Sequence, residues 1–78
     1  MDLKEYIMQL AIREVEKLRK NDEFVVADLF RRADWEIIPL DIRQQIGLAF
    51  YDYFITKKNS PQLKALGKSG GGQQIYSK

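Results

Sequence analysis

The chain opens on a helical stripe. Leu3, Tyr6, Ile7, Leu10, Ala11, Val15 and Leu18 recur at spacings of three and four residues, while Lys4, Arg13, Glu16, Lys17 and Lys20 fall mostly off that face. This predicts a first helix over 2–20, with Asp2 as N-cap and Glu5 three residues on as its partner. Lys17, Arg19 and Lys20 suit the negative end, and Asn21 stops it. Phe24, Val25 and Val26 favour extended backbone but are too few for a full strand, so a short strand is expected at 24–26. The amphipathic stretch Ala27 to Arg32 predicts a second helix over 27–32 with Leu29 and Phe30 as its apolar pair, broken by Ala33 and Asp34.

Trp35, Ile37 and Ile38 form an apolar link to Pro39, which pushes Ile38 out of helical geometry and suits the first turn of a new helix. Ile42, Ile46, Ala49, Phe50, Tyr53 and Phe54 then share one face, and Lys57 and Lys58 close it, predicting a third helix over 39–58. Gly47 in its interior costs about 1 kcal/mol relative to alanine. That cost predicts another element packed closely against this turn. After Asn59, Ser60 and Pro61 the period changes. Two short runs, 63–67 and 73–77, flank the glycines at 70–72, and Ile75 and Tyr76 favour a hairpin that returns to the body over a flexible tail.

The order helix, short strand, helix, helix, hairpin describes one small α+β domain over 1–78. It is the order of a winged helix, in which the second and third helices form a helix-turn-helix, the hairpin is the wing, and Phe24–Val26 adds a third strand. Other small folds fit the same order, a plain three-helix bundle with a tail among them. A lone hairpin is marginal in water, so the third strand and a helical layer are needed to cover its apolar side.

Composition narrows the chemistry. The chain has 78 residues, no cysteine and no histidine, which removes disulfides, thiolate ligands and the imidazole base. The glycine run is not a phosphate loop, because Gly72 is followed by Gln73 and Gln74 rather than Lys-Ser/Thr and a helix. No catalytic residue, metal ligand, cofactor or small-molecule substrate is assigned, and no enzyme activity is expected. Apolar runs such as Ile37 to Leu40 fall far short of the ~20 residues that span a bilayer, and the first ten residues lack a basic leader, so a cytoplasmic protein without a membrane partner is expected.

Charge adds a candidate partner. Residues 1–56 carry eight Lys or Arg against all eleven acids, a net −3, while residues 57–78 carry five lysines and no acid, a net +5. A basic hairpin beside a helix with a polar start suits a polyanion, and duplex DNA is the first reading. The candidate contacts are Arg43, Gln44 and Gln45 on the third helix, Lys64, Lys68 and Ser69 on the wing, and Arg31 and Arg32 at the end of the second helix. Each also has a plain reading as a helix-end charge or a solvated side chain. Asp41 and Asp52 on the third helix oppose DNA. The alternative is a protein-interaction module or a homodimer, with Met8, Ile12, Leu48, Tyr51 and Ile55 as interface candidates beside the main apolar stripes.

The spacing F-x-x-x-D-L-F over Phe24 to Phe30, then Trp35, then R-x-x-x-G-x-x-F over Arg43 to Phe50, resembles a family of small uncharacterised bacterial and phage proteins. The resemblance covers about 22–78, leaves the first helix outside, and implies a winged-helix-like fold. It implies no activity.

Overall fold

The computed structural model describes residues 2–78. Helix α1 spans Leu3–Lys17 and starts as expected, with the Asp2 Oδ1 accepting the Glu5 N–H at 2.8 Å. It ends three residues before the expected 20. Leu18 is already extended, the Asp22 carboxylate accepts the Arg19 N–H at 2.8 Å, and Asn21 takes a left-handed φ of 76° that reverses the chain. Strand β1 is only Glu23–Phe24, not 24–26, because the Val25 N–H turns away to the Asp28 Oδ2 at 3.0 Å.

The expected helix at 27–32 is absent. In its place stand a 3-10 turn, Val26–Leu29, and a short helix α2, Arg32–Glu36. Phe30 between them is extended, and its ring stacks on Trp35 at 5.4 Å. Ala33 and Asp34, expected to break a helix, lie inside α2. Ion pairs from Arg31 to Asp34 at 3.0 Å and from Arg32 to Glu36 at 2.9 Å, at helical spacing, support this short turn.

Helix α3 spans Leu40–Tyr51 and widens into a π turn over Asp52–Thr56, where the Lys57 N–H reaches back to the Asp52 carbonyl at 2.9 Å. Phe54 is thereby buried, with Tyr53 half-buried beside it. The hairpin forms. Strand β2 is Lys64–Lys68 and β3 is Gln74–Ser77, paired antiparallel within a residue of the expected bounds. A bulge at Leu66 interrupts the register, with Gly67 at a φ of 111°. In the turn, the Gly72 N–H bonds to the Ser69 carbonyl at 2.9 Å and the Ser69 N–H to the Gln73 carbonyl at 2.7 Å. Gly72 has a φ of 82° and is the one of the three glycines whose backbone requires glycine.

The sheet runs β1-β3-β2. With three helices and a three-stranded antiparallel sheet, the architecture is the expected α+β class. Tyr76 on the central strand stacks on Phe24 at 5.7 Å and meets the Phe50 ring edge at 4.9 Å, while Phe50 touches Phe54 at 4.7 Å. Ala11, Val15, Leu29 and Leu63 complete this cluster, and a second one joins Ile7, Ile38 and Ile46 between α1, the Pro39 link and α3. No helix among the described residues is long and apolar enough to cross a membrane.

Lys78 closes the molecule. Its ammonium donates to the carbonyls of Val15, Glu16 and Leu18 at 2.9, 3.1 and 2.7 Å, satisfying the open end of α1. Lys78→Met keeps the apolar stem and loses all three bonds, and is expected to lower stability by about 1–2 kcal/mol in urea unfolding. An unchanged midpoint would show that water serves these carbonyls equally well.

Candidate functional site

The face of α3 opposite its core stripe carries Leu40, Gln44, Gly47, Leu48 and Tyr51, spaced as one helical stripe. Ile46 and Phe50 are fully buried on the other side, so this stripe has no partner in the fold. Leu40 is 62% exposed, Leu48 75% and Tyr51 40%, an unusual set of apolar side chains to leave in water on one helix.

The stripe forms one wall of an open groove of about 840 Å³. The hairpin forms the other through Lys68, Gly71, Gly72, Gln73 and Gln74, and Val26, Ala27, Trp35 and Tyr76 lie between. Gly47 sits in the helical wall, and a Cβ built on it would meet nothing within 4 Å. The expected close packing at Gly47 is therefore overturned. No element stacks on this turn, and the missing side chain widens the groove.

The groove has one sign of charge. Arg43 and Lys68 line it, and no carboxylate does. Arg43 is half-buried, and its Nε is sealed from solvent without any hydrogen-bond partner, a costly state for a charged donor. Tyr76 is 1% exposed. Burial first, and the neighbouring Tyr51 second, push its pKa up to about 12, so the phenol remains a proton donor throughout the physiological range.

Of the residues expected to contact DNA, the fold brings Arg43, Gln44 and Lys68 into this groove. It does not bring in the rest. Arg31 and Arg32 are exposed and paired with Asp34 and Glu36, and the Asp34 hydrogen bond, then its charge, raise the Arg31 pKa. Arg31 instead borders a mixed-charge depression with Arg13, Glu14, Glu16 and Lys17. Gln45 is exposed outside the groove, as is Lys64 on β2. Ser69 serves the turn, where its Oγ accepts the Gln73 N–H at 3.3 Å.

Of the interface candidates, Leu48 and Tyr51 line the groove, whereas Met8, Ile12 and Ile55 are half-buried against the core. Sequence reasoning missed Leu40, Trp35, Gln74 and Tyr76. The 40-44-48-51 spacing on α3 was a readable signal for Leu40. The others depend on where the hairpin folds back.

Neither the curated proteins nor the solved structures offer a match to the chain. One family does, described as a domain of unknown function, DUF1413, and the match runs from residue 9 to 78. It takes in most of α1, where the resemblance noted in the sequence began only at about 22. The chain belongs to the DUF1413 family.

Proposed function

We propose that this domain is a non-enzymatic protein-binding module that takes a segment of its partner into the groove between α3 and the hairpin. The observation that carries this reading is the outward stripe of Leu40, Leu48 and Tyr51 beside the space left by Gly47. Burying such side chains contributes about 25 cal/mol per Å² of apolar surface removed from water, before the costs of association, and a few buried anchors, tyrosine and arginine among them, carry most of the energy of a protein interface. A helix that read base edges would be expected to present polar and cationic side chains on this face. Here two leucines and a tyrosine share it with Gln44, and Asp41 and Asp52 are exposed nearby.

Duplex DNA is the second reading, through a winged-helix-like arrangement of α3 and the hairpin. It is favoured by Lys64 and Lys68, which are exposed on β2 and form no ion pair among the described residues. Such a contact would be phosphate attraction, steeply weakened by salt.

One experiment separates the two. Twelve-residue peptides are selected by display on the full chain, in parallel with Gly47→Met, whose new side chain enters the groove while removing an interior helix glycine. Retention on a 24-base-pair duplex is measured at low and moderate salt for the full chain and for Lys64→Ala/Lys68→Ala. Peptides retained by the parent and lost on Gly47→Met support the protein reading. If no peptide depends on the groove and duplex retention is salt-sensitive and lysine-dependent, the protein reading falls to the DNA one.

A further inference from the structure

We infer that the groove selects a partner segment bearing a carboxylate between large apolar side chains, the carboxylate seated on Arg43; this rests on the protein-binding reading above. The guanidinium of Arg43 stands at the groove with its Nε sealed and unbonded, and it forms no ion pair among the described residues. The terminal N–H groups of this planar fork, which are not sealed in the same way, match a carboxylate, which accepts two parallel bonds. Tyr76 also lines the groove, and its phenol is a proton donor at neutral pH. Lys68 on the facing wall adds a second positive charge.

The groove therefore offers donors and cations and lacks any lining carboxylate, which is the charge complement of an acidic segment. Its rims set the flanking chemistry. Leu48 and Tyr51 on one side of Gly47 and Leu40 on the other leave apolar surface that only apolar neighbours of the acid would cover. A phosphodiester strand satisfies the cations and leaves the leucines wet, so an acidic, apolar-flanked protein segment fits both halves of the site better than nucleic acid does.

The test uses the display selection on the full chain. The expected result is that groove-dependent peptides carry Asp or Glu flanked by Leu, Phe, Tyr or Trp. Synthetic copies with that acid changed to its amide are expected to bind the parent at least ~10-fold more weakly by fluorescence anisotropy, which is about 1.4 kcal/mol. On Arg43→Gln the acid and amide peptides should differ by less than about 2-fold. Tyr76→Phe, which keeps the buried ring, should narrow the difference in the same direction.

Groove-dependent peptides without an acid would overturn this inference and leave the protein-binding reading standing. No groove-dependent peptide at all would remove both. Two further outcomes also count against it: an oligonucleotide that displaces the peptides and binds through Arg43, or a concentration-dependent dimer in sedimentation that Gly47→Met abolishes. The first assigns the groove to nucleic acid and the second to another copy of this chain.

Discussion

Replacing Phe50 by alanine is expected to remove about 3–5 kcal/mol of stability, the range for deleting a fully buried aromatic ring. Phe50 is wholly buried and touches Phe24, Phe54 and Tyr76, so α3, the π turn, β1 and β3 meet through its ring. A domain of this size is stable by only about 4–12 kcal/mol at a typical ~0.05–0.15 kcal/mol per residue. Urea unfolding should therefore show a midpoint far below that of the parent, or no cooperative transition where the parent lies at the low end of that range. A midpoint shift worth less than about 1.5 kcal/mol would mean that the surrounding rings collapse into the cavity, and that the aromatic cluster is less rigid than the ring geometry indicates.

Ile46→Ala is expected to cost about 2–5 kcal/mol through a different route. Ile46 is wholly buried with Ile7 and Ile38, and this cluster pins the first turns of α1 and the Pro39 link to α3. Amide exchange should speed first near Ile7 and Ile38, with the hairpin less affected. Uniform loss of protection would contradict a division into two clusters. Met8, Val26 and Phe30 pack against both, so the double variant Ile46→Ala/Phe50→Ala should depart from additivity by more than about 0.5 kcal/mol.

The first and third helices were legible because their apolar stripes run long enough for the period to be unambiguous. The middle of the chain was not. Between Val25 and Glu36 the backbone is set by single side-chain contacts, the Asp28 bond to Val25 and the Phe30 stack on Trp35, rather than by a repeating pattern. The Arg31–Asp34 and Arg32–Glu36 spacings could have placed α2 after Phe30, since opposite charges three and four apart support a helical turn. The hairpin was readable from Ile75 and Tyr76 flanking a turn. Which of its glycines mattered was not, because the demand at Gly72 comes from the closing hydrogen bonds of the turn.

The groove was half legible. Leu48 and Tyr51 stood out as apolar residues beyond the core stripe, and Arg43, Gln44 and Lys68 as polar candidates, yet they were assigned to separate partners. Only the return of the hairpin places them in one site, and the sequence carries no local sign of that meeting. Gly47 shows the same limit. A glycine inside a helix signals either a close neighbour or an open space, and the sequence does not distinguish them.

The sheet order has a kinetic consequence. The central strand is the last of the three in sequence, so neither outer strand has a partner until it is in place. Strands β2 and β3 close across a short turn, at about 2 kcal/mol of chain entropy, whereas Phe24 finds Tyr76 across roughly fifty residues, at about 3.5 kcal/mol. Pairing of the first strand is therefore the costlier of the two closures. Because a lone hairpin is marginal in water, the groove wall is held only once the helical core closes on it, and a domain with this share of non-local pairing is expected to fold more slowly than a bundle of local contacts the same length.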